Sequence, residues 1–298
     1  MIKQVSKYIS LFVSLLIVVL VLSGCSASKF IPEGKFLLDD AEIKSDVKDV
    51  NPDRLKAYIR QKGNSKWFSL FKIPLGTYAL SGKDSTKWIN KKLRDLGEDP
   101  VLFDSLQTAM TCSDLENVLH GLGYLRATVD YNLDFKKKKK VVVVYNLHPG
   151  PLYHISSVSY DIQDDKIAEF LNTGEEGGFK PGLRVGMPFL TNELDNERKA
   201  LTKYLNNNGY YKFHKDFITY SADSVRGSTD VGLTLHLHKY TANSKSPEEA
   251  HTRYKINDVT YYSNDERNYV PLRQSVLEEN TLIEPGEYFN SEALQKTY

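Results

Sequence analysis

The 298 residues are 26% charged and 41% hydrophobic, with 39 Lys+Arg against 38 Asp+Glu, which excludes a disordered polyelectrolyte and a multi-span membrane protein. The first 24 residues hold two bases, Lys3 and Lys7, and no acid, so the remaining 274 carry 37 bases against 38 acids; no positive excess points to nucleic acid. At about 100–150 residues per domain, the length fits two domains and a remainder.

The amino terminus reads as a secretory signal. After Lys3 and Lys7, Ile9 to Leu22 is interrupted only by Ser10 and Ser14. This run is shorter than the roughly 20 apolar residues of a spanning helix and suits the apolar centre of a signal peptide. It ends in Leu22-Ser23-Gly24-Cys25, which resembles the bacterial lipobox. That resemblance implies cleavage before Cys25 and acylation of its thiol. Two or three acyl chains, at about 0.8 kcal/mol per buried methylene, anchor a protein permanently. Ser26 stands where lipoproteins retained at the inner membrane have Asp, which favours the outer membrane, and Ser26-Ala27-Ser28-Lys29 lacks the acidic pair of some surface-export signals. With Cys25 acylated, Cys112 has no disulfide partner; it reads as a small packed side chain.

Downstream, landmarks recur. Leu38-x-x-Ala41-x-Ile43 is a faint first copy of Tyr153-x-Ile155-x-x-Val158-x-Tyr160, which returns 101 residues later as Tyr254-x-Ile256-x-x-Val259-x-Tyr261. The spacing predicts strands whose apolar face shifts once, as at a bulge. Leu115, Leu119 and Gly123-Tyr124 recur 86 residues on as Leu201, Leu205 and Gly209-Tyr210, predicting helices closed by a left-handed glycine. Pro181-Gly182 and Phe189-Leu190-Thr191 are echoed by Pro285-Gly286 and Phe289-Asn290-Ser291, with Thr191 and Ser291 expected as N-caps.

Strands follow each Gly-Tyr. Leu125 to Phe135 alternates with period two, Lys136 to Lys140 forms a turn, and Val141 to His148 alternates again. In the next copy Tyr211, Phe213 and Phe217 precede a turn near Gly227, and Val231, Leu233, Leu235 and Leu237 alternate. Each unit therefore reads β-α-α-β-β. An α+β fold follows, with each three-stranded sheet covered on one face by two helices.

This ordered set resembles the POTRA domains of outer-membrane protein assembly factors, the BamA/TamA superfamily, and with the lipobox it is similar to the lipoprotein branch that includes TamL. Arg60-Gln61-Lys62-Gly63-Asn64 and Leu96 to Asp104 are similar to stretches of the first POTRA domain there, with Gly63 and Asp99 standing where Pro is expected. The resemblance implies a signal peptide at 1–24, a tether at 25–35, a first POTRA domain at 36–150 with an insertion at about 63–105, and a second at 151–242. A linker at 243–251 and a third, truncated POTRA domain at 252–298 complete it. It also implies a carboxy-terminal barrel that these 298 residues do not contain.

The function implied is capture of unfolded outer-membrane protein clients, or of a TamB-like periplasmic partner, by strand addition to an exposed sheet edge. The family places the second strand of each unit at that edge, here Tyr124 to Phe135 and Tyr210 to Ser221. Tyr124, Arg126, Thr128 and Asp130, and Tyr210, Lys212 and His214, are the candidate partner-binding residues, and the acylated Cys25 joins the lipid bilayer. The alternatives are a barrel-less periplasmic adaptor lipoprotein and a lipid-anchored enzyme. No nucleophile, phosphate-loop or zinc-protease motif is present, so neither catalysis nor a cofactor is expected. Gly174 to Gly178 reads as a flexible loop. Lys136 to Lys140 reads as a solvated turn and secondarily as a contact for anionic lipid headgroups or for a partner's acidic patch. The apolar run of Trp67, Phe68, Leu70, Phe71, Ile73 and Leu75 is expected to pack on its own domain, with a client groove or membrane-surface patch as the alternative. His236 and His238 share one strand face and read as exposed polar positions, short of a metal site.

Overall fold

Alternating apolar residues place Val141, Val143, Tyr145 and Leu147 at 1% exposure or less, and the strand that carries them organises the first unit. The computed structural model describes residues 27–67, 72–172, 178–242, 246–262 and 272–297. Cys25, the signal segment, Phe68, Leu70, Phe71 and most of the Gly174 loop lie outside the described residues. The chain divides into two compact units, Met1–His120 with Tyr124–Gly150, and Gly121–Gly123 with Pro151–Tyr298.

In the first unit β1 (Leu37–Ser45) is followed by α1 (Pro52–Leu55), α2 (Ile73–Leu80), α3 (Trp88–Leu96), α4 (Ser105–Gly121), β2 (Thr128–Lys136) and β3 (Lys140–His148). The sheet order is β1-β3-β2, with β1 parallel and β2 antiparallel to β3. The predicted bulge lies between Leu38 and Asp40. It lets Leu38 and Ile43 both reach the core, where Leu115 and Leu119 of α4 are fully buried. Lys138 and Lys139 turn the β2–β3 hairpin at positive φ.

The two segments flagged by resemblance lie side by side. Gln61 donates from Nε2 to the Leu102 carbonyl (2.7 Å) and accepts at Oε1 from the Asp104 N–H (3.1 Å). Asn64 does the same with Asp99 and Val101. Gly63 packs on the bulge, where a Cβ would stand 2.6 Å from the Asp39 carbonyl oxygen, so the position has no room for any side chain. Of the apolar run, Leu75 of α2 packs on its own domain as expected, in one cluster with Ala27, Ile31, Leu37 and Ala79. Trp67, in contrast, is exposed.

The second unit repeats the plan with β4 (His154–Ile162), α5 (Asp165–Asn172), α6 (Thr191–Asn207), β5 (Ile218–Asp223) and β6 (Asp230–Leu237), in the order β4-β6-β5. Its bulge lies between Ile155 and Ser157. Val231, Leu233, Leu235 and Leu237 are each at most 1% exposed, as are Leu201 and Leu205 of α6. Both Gly-Tyr pairs cap helices as predicted: Gly123 and Gly209 have φ of 91° and 97°. The following Tyr124 and Tyr210 N–H groups bond the Leu119 and Leu205 carbonyls (3.0 and 3.1 Å).

Several expectations are corrected. The echo of Pro181-Gly182 by Pro285-Gly286 does not extend to the backbone: Gly286 has its structural counterpart in Gly186, both at φ 88°, and the Gly286 and Gly186 N–H groups bond the Ile256 and Ile155 carbonyls at 2.7 Å. The Pro-Gly letters matched while the backbone requirement lay four residues away. Gly182 instead donates its N–H to the buried carboxylate of Glu197 (2.7 Å), which also accepts from the Tyr160 hydroxyl (2.9 Å). Thr191 and Ser291 are first helical residues, not N-caps. Asn290 caps α8 (Ser291–Thr297) by accepting from the Ala293 N–H (2.9 Å), whereas Leu190 has no side-chain acceptor for α6. The linker expected at 243–251 is partly built into the second unit. Tyr240 pairs with Glu249, and His251 is buried against Phe213, Phe217 and Tyr240.

The predicted strand at Tyr254 to Tyr261 does not form; its described residues make one bridge, Lys255 to Tyr288. β1 and β4 each take their ladder from the second strand of the unit's own hairpin, and no third hairpin is present among the described residues. What does form is α7 (Gln274–Asn280), α8 and the loop between them.

Candidate strand-pairing site

Each sheet has two outer edges, and they differ. The outer edge of β1 is occupied at its start, where the Leu38 N–H bonds the Val101 carbonyl and the Phe103 N–H bonds the Phe36 carbonyl, both at 2.8 Å. On β4 the same two bonds run from Ile155 to Met187 and from Phe189 to Tyr153, both at 2.8 Å. The third copy repeats them from Ile256 to Glu287 and from Phe289 to Tyr254, both at 2.9 Å. Phe103, Phe189 and Phe289 thus hold one structural position, and the chain before the long helix closes this edge.

The edges of β2 and β5 have no partner strand among the described residues. Which backbone groups they present follows from the ladder. The Leu37 and Asp46 N–H groups bond the Lys139 and Leu147 carbonyls, so the odd-numbered residues of β3 face β1. Its even-numbered residues therefore bond β2, whose paired residues are also even, as in Thr128 with His148 and Lys136 with Lys140. Val129, Tyr131, Leu133 and Phe135 are left with their N–H and C=O groups directed outward. The Val129 N–H donates to Glu116 Oε1 of α4 (2.9 Å), which confirms the direction and leaves Tyr131, Leu133 and Phe135 as the open stretch. In the second unit the His238 N–H bonds the Phe217 carbonyl (2.8 Å). By the same alternation Ile218, Tyr220 and Ala222 face outward, with the Ile218 N–H taken by the Lys215 carbonyl. A recess of about 480 Å³, lined by Phe36, Leu102, Phe103 and Phe135 among others, opens at the end of the first sheet where Phe135 stands.

Of the candidate residues only Thr128 and Asp130 lie on an edge strand, and their backbone groups point inward to β3. Tyr124 and Tyr210 are buried in the helix caps. Arg126 is exposed in the turn before β2. Lys212 holds its ammonium over the Tyr254 ring at 5.5 Å, and His214 Nδ1 sits 3.0 Å from Asp216. The strands begin later than predicted because the glycine cap is followed by a further turn, closed by the Ala127 N–H on the Tyr124 carbonyl and the Phe213 N–H on the Tyr210 carbonyl (both 2.9 Å). Side-chain alternation along these strands draws the eye to its polar members. The outward backbone groups belong to the apolar, core-facing members.

The solvent face of each sheet is laced across all three strands. His148 of β3 reaches Asp46 with Nδ1 (2.5 Å) and Asp130 of β2 with Nε2 (3.0 Å), and these carboxylates hold its pKa above the usual imidazole value. In the second sheet His236 bridges Asp161 and Ser221 (both 2.8 Å), and His238 bridges Gln163 (3.1 Å) and Thr219 (2.7 Å). Both nitrogens of each imidazole are engaged within the sheet, so these residues tie the edge strand to its neighbours. Cys112 is buried in α4, and desolvation pushes its thiol up to about 11, unlike a nucleophilic cysteine. The Lys136 to Lys140 tip is exposed or half-buried, with Lys136 paired to Asp134 and Lys140 to Asp39.

The fold and its edges define a class: tandem β-α-α-β-β units, each a three-stranded sheet with the second strand outermost. Among solved structures, the chain is similar to POTRA domains 3–5 of BamA from Haemophilus influenzae, at 14% identity over 90% of this chain and 85% of that one, with a TM-score of 0.42. It is also similar to POTRA domains 1–3 of the periplasmic domain of Omp85 from Anabaena, at 14% identity over 89% and 84% of the two chains and a TM-score of 0.32. No family model and no curated protein matches it.

Proposed function

We propose that the chain is the periplasmic POTRA region of an outer-membrane protein assembly factor, acylated at Cys25, which captures extended client or TamB-like partner segments by strand addition. The similar structures are POTRA domains 3–5 of BamA and POTRA domains 1–3 of the periplasmic domain of Omp85, and the signal and lipobox residues support export and anchoring. The observation that carries the reading is the open backbone of β2 at Tyr131, Leu133 and Phe135, with β5 offering Tyr220 and Ala222. Backbone pairing demands little of the client's sequence, which suits a receiver of many strands.

Proline separates capture from folding. Leu133→Pro removes an outward N–H and leaves the β2–β3 ladder intact, so the unit stays folded and peptide affinity falls about fivefold, the effect of about 1 kcal/mol for one hydrogen bond. Thr128→Pro removes a ladder donor and weakens the fold itself. Binding of barrel-strand peptides to a folded Leu133→Pro chain at wild-type affinity would rule out pairing along β2.

A further inference from the structure

The helix α3 is inverted. Trp88, Ile89 and Leu96 are 74%, 51% and 68% exposed, whereas Asn90 is buried. The inward polar face is pinned. Asn90 accepts from the Gly82 N–H (2.8 Å) and donates to the Asp84 carbonyl (2.7 Å). Arg94 donates to the Gly82 carbonyl (2.8 Å) and lies over the Phe30 and Tyr78 rings at 5.4 and 5.7 Å. Rotating the helix to hide its apolar side would break all of these contacts, so the exposure belongs to the fold.

Two observations identify what this face meets. Lys83, Lys87, Lys91 and Lys92 are exposed on or beside α3 against Asp84 and Asp95. A tryptophan with leucine and isoleucine, flanked by lysines, is the composition of a helix lying in an anionic membrane interface. The chain start is also built into the same place. Ala27 and Ile31 pack with Leu75 and Ala79 of α2, Phe30 meets Tyr78 edge-on at 5.1 Å, and Lys29 Nζ donates to the Ser81 carbonyl (2.8 Å). Cys25 is two residues from Ala27, at most about 7 Å of chain.

We infer that the outward face of α3 lies in the headgroup region of the bilayer that holds the acylated Cys25, so that the first unit meets the membrane through a lipid and a helix together. The inference rests on the lipid-anchor reading above for its geometry. It makes the insertion a membrane-orienting element, distinct from the strand-pairing edge.

Trp67 and Trp88 are the two tryptophans of the chain, so Trp67→Phe leaves Trp88 as the single reporter. The full chain, produced in a bacterial host and reconstituted into phosphatidylethanolamine–phosphatidylglycerol vesicles, is read by Trp88 fluorescence. The expected result is blue-shifted emission quenched by acyl-brominated lipid, with acrylamide quenching about threefold weaker than in the same chain carrying Ile89→Ser, Leu96→Ser, Lys91→Glu and Lys92→Glu. Mass measurement of Cys25, with Cys25→Ala as control, reads the anchor separately. An acylated chain whose Trp88 stays open to acrylamide overturns the membrane contact and leaves the anchor standing. A chain without acyl groups whose Trp88 is quenched by bromolipid overturns the anchor and leaves the contact.

Discussion

The two complete units share every feature that the β-α-α-β-β plan requires and differ in the insertion and in the length of the open edge. Both have the bulge in the first strand, the leucine pair on the long helix, the positive-φ glycine and the buried tyrosine. Only the first carries the insertion with its inverted α3. Its open edge offers Tyr131, Leu133 and Phe135, while the shorter β5 offers Tyr220 and Ala222. The repeated part builds the scaffold, and the unrepeated part is where two copies of one fold can take different tasks.

The comparison can be broken at the core first. Leu119→Ala and Leu205→Ala remove the same fully buried side chain, and each should cost about 2–5 kcal/mol in its own unit, measured by denaturant unfolding with a probe in each sheet. The glycines sharpen it next. Alanine at either position incurs about 1–2 kcal/mol of left-handed strain. Its Cβ at Gly123 would also stand 2.9 Å from the Phe189 carbonyl oxygen, whereas at Gly209 the nearest atom, at 3.0 Å, is Cδ1 of the Tyr288 side chain. Gly123→Ala is therefore expected to lower the melting temperature more than Gly209→Ala.

The smallest difference is in pH. His148 has its folded pKa raised, first by Asp46 and then by Asp130. Its contribution is complete below the unfolded value of about 6.5 and is lost as pH rises through the folded value. His251 in the second unit has its pKa lowered by burial. Its contribution is present above about pH 6.5 and is lost as pH falls through the folded value. Unfolding followed from pH 5 to 8 should weaken the first unit on the alkaline side and the second on the acid side. His148→Gln should flatten the first trend alone.

The scaffold was legible in the sequence because its constraints are periodic: leucines four apart, alternation along β3 and β6, and glycine where φ is positive. The first copy of the phenylalanine position was hidden by the insertion, which stretches the Phe36-to-Phe103 spacing to 67 residues, against 36 from Tyr153 to Phe189 and 35 from Tyr254 to Phe289. Asn290 takes the cap position expected of Ser291, and Asp104 caps α4, its Oδ1 accepting from the Leu106 N–H at 2.8 Å. The edge is legible in the sequence at the level of the strand and not at the level of the backbone group. Side-chain period two does not say which backbone groups are already bonded; only the ladder's phase does.

Amide hydrogen exchange of the full chain, with and without an extended peptide copied from an outer-membrane barrel strand, tests strand addition most directly. Protection should rise at the Tyr131, Leu133 and Phe135 amides and at those of Tyr220 and Ala222, while Thr128, Asp130 and Asn132, already bonded to β3, stay as they were. Bound peptide with no added protection at those outward amides, or with protection appearing along the outer edges of β1 and β4 instead, would contradict capture at the second strand.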